Sequence, residues 1–303
     1  MKKKTVLVTG AAGFIGRYVA REFAEQGWQV SGIGRGDILN WSDYGLADWH
    51  RADVNLDSLV EYAGKPDAIV HCAGGASVGF SVSQPAADFD LTVKTTSNVL
   101  EFIRVHSPAT RLVYPSSAAV YGEVKTLPIT EDAPLSPLSP YGLHKQMAES
   151  LCQLYSHQFG VSVAIVRLFS IYGAGLHKQL LWDACRKFDE GGSDFFGTGE
   201  EVRDWLHVVD VAKLLLIAEK NASSQCSVIN AGSGLGVPVV KILQHISEKF
   251  GSHLTPRFSS LPKVGDPSAY IADISKASAL NWCPKIDWRD GIAQYVEWYK
   301  KCQ

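Results

Sequence analysis

No stretch of this 303-residue sequence is long and apolar enough to cross a bilayer, a task that takes about 20 consecutive apolar residues. The basic opening MKKK leads into an apolar run too short for a signal peptide, and that run ends in a glycine turn. Charge of one sign is also missing: 29 Lys and Arg face 31 Asp and Glu, a formal net charge of -2. The chain therefore has no general attraction for nucleic acid or anionic lipid, and any anionic ligand must be held by a local set of donors. Cysteine is sparse. None of Cys72, Cys152, Cys185, Cys226, Cys283 and Cys302 forms a CxxC pair or stands at zinc-ligand spacing from a histidine. That pattern implies reduced thiols in a cytoplasmic protein, with no metal site and with neither nucleic acid nor membrane as a partner. With no internal repeat and no low-complexity tail, the length suits one large α/β domain or a Rossmann domain carrying a smaller lobe.

The composition that remains is that of an ordinary globular protein, 46% hydrophobic and 20% charged. Strand and helix patterns alternate through the first half. Thr5–Thr9 reads as a buried parallel strand, Phe14–Gln26 as a helix ended by Gly27, and Gln29–Ile33 and Ala68–Cys72 as further strands. A long helical pattern runs from about Pro85 to His106, followed by strand Arg111–Tyr114, a proline-rich loop, helix Tyr141–Phe159 and strand Val161–Leu168. Beyond about Ser170 the pattern changes. Helices are expected at Gln179–Glu190, Val209–Glu219, Pro238–Phe250, Ile274–Asn281 and Trp288–Lys300, with a strand at Cys226–Asn230. The fold class implied is α/β: a Rossmann, doubly wound parallel sheet over 1–169 with later returns near 205–236. A smaller, mostly C-terminal substrate lobe occupies 170–303.

The first strand ends in Gly10-Ala11-Ala12-Gly13-Phe14-Ile15-Gly16, and an amphipathic helix follows. A side chain at Gly10, Gly13 or Gly16 would keep the backbone away from a pyrophosphate, and the helix start offers free N–H groups and a positive dipole end. The strand–turn–helix context makes this a dinucleotide site rather than a tight turn without a ligand. Which dinucleotide is read from the end of the second strand, Gly32-Ile33-Gly34-Arg35. A carboxylate there would accept from a ribose 2′-hydroxyl, whereas arginine would neutralise a 2′-phosphate. Arg35 is present and Asp37 comes late, which favours NADP, with NAD as the alternative.

Moving a hydride at a sugar carbon requires a proton to move at the attached oxygen. A tyrosine can do this if a cation one helical turn away lowers its pKa from the usual ~10. Tyr-x-x-x-Lys on a helix meets that need, because residues i and i+4 share a face. The pattern occurs twice. Tyr121–Lys125 lies in a glycine-containing stretch before Pro128, whereas Tyr141–Lys145 opens a helix with apolar Leu143, Met147, Leu151 and Leu154. Only the second has workable geometry.

Taken together, TGAAGFIG, PSSAAVYG and SPYGLHK, in this order, resemble the motifs of the extended short-chain dehydrogenase/reductase family, the nucleotide-sugar epimerases, dehydratases and reductases. The resemblance spans nearly the whole chain. It implies that Tyr141 is the acid/base, that Lys145 also binds the nicotinamide ribose, and that Ser117 hydrogen-bonds the reacting sugar oxygen. It adds Phe14 and Ile15 at the pyrophosphate loop, Asp53 and Val54 at the adenine, and Ala73 and Gly74 beside the ribose. For a nucleotide-diphosphate sugar it implies Arg203 on the diphosphate, Lys263 as a point-charge contact, and Ser170 and Lys178 in the substrate pocket. Thr92 stands where an asparagine is usual. Ala118 and Ala119 stand where dehydratases carry acids, which argues against dehydration. The resemblance also implies a homodimer. The reading favoured is an NADP(H)-linked 4-keto-sugar reductase. The alternative is a 4-epimerase that retains NAD(P), and a non-catalytic cofactor-sensing protein is a distant third.

Overall fold

The computed structural model describes residues 3–36, 41–260 and 267–302. By compactness the chain divides into two units. The first comprises 1–122, 134–168 and 212–229, and the second 123–133, 169–211 and 230–303.

In the first unit the order is β1 (Thr5–Thr9), α1 (Phe14–Glu25), β2 (Gln29–Gly34), β3 (Leu46–Arg51), α2 (Leu56–Tyr62), β4 (Ala68–His71) and α3 (Val78–Ser83). It continues with α4 (Pro85–Phe89), α5 (Thr95–His106), β5 (Arg111–Ser117), α6 (Pro140–Phe159) and β6 (Val163–Leu168). The rest of the chain carries β7 (Ser170–Tyr172), α7 (Gln179–Asp189), β8 (Asp194–Phe195), β9 (Val202–His207), α8 (Val208–Asn221), β10 (Ser227–Ala231), β11 (Gly236–Pro238), α9 (Val239–Phe250), β12 (Arg257–Phe258), α10 (Ser275–Ala279) and α11 (Trp288–Lys301).

The main sheet has the order β10-β6-β5-β4-β1-β2-β3, and strands β1 to β6 pair in parallel. The chain leaves β1 in one direction through β2 and β3, then returns to β4 on its other side. Strand order thus reverses at β1, and ligands of such sheets bind beyond the strand ends at that reversal. The core is built from strand residues Leu7, Ile33, Ile69, Leu112 and Ile165 with helix residues Val99, Ile103, Ala148 and Cys152, all fully buried. Each large aliphatic side chain so placed contributes roughly 1.5–3 kcal/mol.

Two departures from the sequence reading have local causes. The continuous Pro85–His106 helix is interrupted by a π-helical turn at Asp90–Lys94. There the Thr95 hydroxyl donates to the Leu91 carbonyl and Thr96 to that of Thr92, both at 2.6 Å, and such back-bonding bends a helix. Strand β3 and helix α2 escaped the sequence reading altogether. The burial of β3 does not alternate, since it lies at the sheet edge, and α2 is a seven-residue helix started by an Asn55–Ser58 capping box.

The second unit is organised by buried carboxylates. Asp204 accepts from the backbone N–H groups of Ser233, Gly234 and Ala272, and Asp210 from those of Lys285 and Ile286. Its small sheets are β11-β9-β7 and β12-β8. The helix expected at Ile274–Asn281 is shorter, Ser275–Ala279. Among the described residues, no helix is long and apolar enough to cross a membrane.

Candidate active site

The glycine loop is tight in the way a pyrophosphate cradle must be. Gly10 has φ +68°, and a Cβ placed on it would meet Ala73 N at 2.7 Å. A Cβ on Gly16 would lie 2.2 Å from the Gly10 carbonyl oxygen, and one on Gly13 3.0 Å from the same atom. Helix α1 begins with Gly13 at its N-cap, no side-chain cap and no acidic residue in its first turn. Its N–H groups and dipole are left to a ligand, so these residues fit a dinucleotide diphosphate. Phe14 and Ile15 are half-buried in that first turn.

Arg35 follows β2 and is exposed, with its Nε 3.7 Å from the Asp53 carboxylate, itself exposed. Val54 is buried in the core of the first unit. Ala73 and Gly74 follow β4, where a Cβ on Gly74 would stand 3.7 Å from Lys145 Nζ. Where the resemblance expects an asparagine, buried Thr92, in the π turn, accepts from Gly75 N–H at 2.9 Å.

The Ser117 side chain acts on the Tyr141 phenol and holds its pKa down. Ser117 ends β5 and also caps the short 3-10 turn at 118–120, accepting from Ala119 N–H at 3.2 Å. The side chain that makes this cap is the one that acts on Tyr141. Tyr141 opens α6, which is started by Ser139 accepting from Gly142 N–H and by Pro140 in the first turn. Gly142 permits the close approach, because a Cβ there would meet the Ala119 carbonyl at 2.5 Å. Lys145 is buried, donates to the Pro115 carbonyl at 3.0 Å and lies 5.0 Å from the centre of the Tyr114 ring.

One electrostatic expectation fails. Lys145 was expected to lower the Tyr141 pKa, but the phenol is raised: burial pushes it up, the Ser117 hydrogen bond pulls it down, and the Asp88 carboxylate pushes it up again. Lys145 is itself pulled down to about 8 by burial, against the opposing charges of Cys72, Asp88 and Glu149. The reason is that water is excluded from both groups while the ammonium is turned to a carbonyl.

Three of the residues expected to contact substrate lie in the second unit. Ser170 begins β7 and is half-buried, and Lys178 is exposed at the N-cap of α7. Arg203, on β9, donates to the Val202 carbonyl and stands 6.0 Å from the centre of the Tyr270 ring. The neighbouring carboxylates of Asp204 and Asp210 accept from backbone N–H groups. Lys263 lies outside the described residues.

Two residues beside the reacting groups were missed. Asp88 and His144 form a buried pair, Nδ1 to Oδ2 at 2.6 Å, joined across 56 positions of sequence. His144 is one of the three residues between Tyr141 and Lys145, and no sequence signal links it to Asp88. Buried Glu149 and Arg167 form a second pair that was not anticipated.

Comparison with known proteins places this geometry. The NAD dependent epimerase/dehydratase family matches residues 6–232. The chain is 32% identical to a putative UDP-glucose 4-epimerase of Methanocaldococcus jannaschii, over 97% of this chain and 98% of that one. The structure of UDP-glucose 4-epimerase from Thermotoga maritima with UDP-glucose superposes with a TM-score of 0.89 at 28% identity, covering 98% and 99% of the two chains. UDP-glucuronic acid 4-epimerase from Bacillus cereus, in complex with UDP-glucuronic acid and NAD, gives 0.87 at 27% identity, covering 99% and 100%.

Proposed function

Because the chain belongs to the NAD dependent epimerase/dehydratase family, we propose that it is a nucleotide-sugar 4-epimerase that keeps NAD through its catalytic cycle. The observation that carries this reading is the close packing of the first turn of α6, which carries Tyr141 and buries Lys145 one turn further on, against the segment that follows Ser117, where a Cβ on Gly142 would meet the Ala119 carbonyl at 2.5 Å. The nicotinamide ring, when bound, would take up a hydride from the sugar and return it. Tyr141 moves the proton at the C4 oxygen of the sugar, and Ser117 holds that oxygen by a hydrogen bond. Burial keeps the phenol protonated, the form that donates to a 4-keto oxygen. Lys145, one turn beyond Tyr141 on α6, holds the nicotinamide ribose.

This reading replaces the reductase favoured from Arg35. A carboxylate, Asp53, already stands 3.7 Å from that guanidinium, so its charge is partly answered without a 2′-phosphate. The solved relative from Bacillus cereus holds NAD. The expected substrate is a UDP-sugar, as in the relatives named above, with Arg203 on the diphosphate. Helix α6 supports a homodimer. It buries His144, Lys145, Glu149 and Ser156 and turns Leu143, Met147 and Leu154 outward, the reverse of a solvent-facing helix.

The test is to incubate the purified protein with UDP-glucose and with UDP-glucuronic acid, and to assay the dinucleotide released on denaturation. Interconversion with the C4 epimer, no net redox and released NAD are expected. Tyr141→Phe should lower the rate by about 10²–10⁴-fold. Stoichiometric NADPH oxidation with a 4-keto sugar, without epimer formation, would return the protein to the reductases.

A further inference from the structure

The structure assigns Asp88 and His144 the role of positioning residues, a buried hydrogen-bonded pair that holds the first turn of the Tyr141 helix against the Gly74–Gly75 segment. The inference rests on the catalytic reading of Tyr141 and Lys145 and adds to it the residues that fix them.

Four observations converge on the pair. The Asp88 side chain is fully buried and the His144 side chain nearly so, with Nδ1–H donating to Oδ2 at 2.6 Å. Where the carboxylate accepts, the Nδ1 position carries the proton. The other oxygen, Oδ1, is buried with no hydrogen-bond partner, and it faces backbone: a Cβ on Gly75 would lie 1.9 Å from it. Gly75 N–H is in turn held by Thr92, four residues beyond Asp88 on the π turn. His144 lies on α6 three residues after Tyr141 and directly before Lys145, so a pull on its ring is a pull on the turn that aims both. The Asp88 charge reaches both groups, acting on the Tyr141 phenol and on the Lys145 ammonium.

A pair kept only to fill space would serve better as two apolar side chains, because burying a carboxylate with one oxygen unanswered costs stability. Here the cost falls at the one place where α6 and the Gly74–Gly75 segment must keep a fixed separation, since Lys145 Nζ faces Gly74. Positioning to within a fraction of an ångström is what proton transfer from a rigid phenol demands.

The discriminating variants are His144→Asn and His144→Gln, studied as holoenzyme with UDP-glucose as substrate. An asparagine amide nitrogen lies close to where Nδ1 was and can donate to Asp88, whereas the glutamine nitrogen falls at the position of Nε2 and cannot. His144→Asn should keep kcat within about threefold of wild type, and His144→Gln should lose at least about tenfold in kcat, with KM within about twofold and dinucleotide content unchanged. His144→Leu should behave as Gln does. If it does not fold, the Asn–Gln comparison still decides. Equal kcat in the Asn and Gln variants, or a loss confined to KM, overturns the positioning role. Tyr141→Phe is measured alongside. If it is inactive while the His144 variants match wild type, only the pair's role is lost; if it is active, the catalytic reading falls and the inference with it.

Discussion

Lowering the pH from about 7 to about 5.5 should destabilise this protein through one histidine that feels the charge of buried Lys145. His71 ends β4, is 1% exposed, and shares its ring nitrogens with the hydroxyls of Thr9 at 2.7 Å and Thr95 at 3.3 Å. Burial, followed by the charge of Lys145, pulls its pKa down to about 3 from 6.5. Between these values the unfolded chain binds a proton that the native state refuses. Stability is therefore full above about 6.5 and falls as pH drops toward about 3. Over the step from about pH 7 to about pH 5.5, this single group removes about 1.3 kcal/mol. Urea denaturation at both pH values, on wild type and on His71→Gln, isolates the contribution, because the other histidines cancel in the difference. Glutamine retains a donor and an acceptor for the two threonines but does not titrate, so its loss of stability over the step should be about 1.3 kcal/mol smaller. An equal loss in the two proteins would refute the claim that His71 is held neutral.

Two further outcomes follow from other buried contacts. Arg167 donates to Glu149 through Nε and Nη2 and to the Tyr121 hydroxyl through Nη1, with both ionic side chains 3% exposed or less. Glu149→Leu, which strands the guanidinium, should cost about 3–5 kcal/mol, and Glu149→Leu with Arg167→Met should recover most of it; urea midpoints measure both. Gly16→Ala places a methyl group 2.2 Å from a backbone oxygen that cannot yield, so it should cost about 1–3 kcal/mol and strip the purified protein of dinucleotide. Gly27→Ala, with nothing within 4 Å of its Cβ, should keep its dinucleotide.

The parts of this protein legible in its sequence are those governed by local rules. The Gly10–Gly16 loop, the parallel strands and the Tyr141–Lys145 spacing each depend on residues within one or two turns of chain, where period and conformational freedom act directly. Ser117 came instead from the likeness of PSSAAVYG to the family's motif, since its place at the end of a strand implies no more than a cap. Harder to read were elements whose stability comes from neighbours. Strand β3 has no alternation because it is an edge, and the break at Asp90–Lys94 arises because two threonines take the carbonyls of the preceding turn.

The sequence by itself determined that a dinucleotide loop and a tyrosine–lysine helix exist, because a glycine without a Cβ and a 3.6-residue turn are properties of the chain alone. Only the tertiary structure decided which charge reaches the phenol. Asp88 stands 53 positions before Tyr141 in the chain and pushes its phenol pKa up, while Lys145, four positions after it, is turned to Pro115. Electrostatic coupling follows distance through space and the exclusion of water, and neither is written in spacing along the chain.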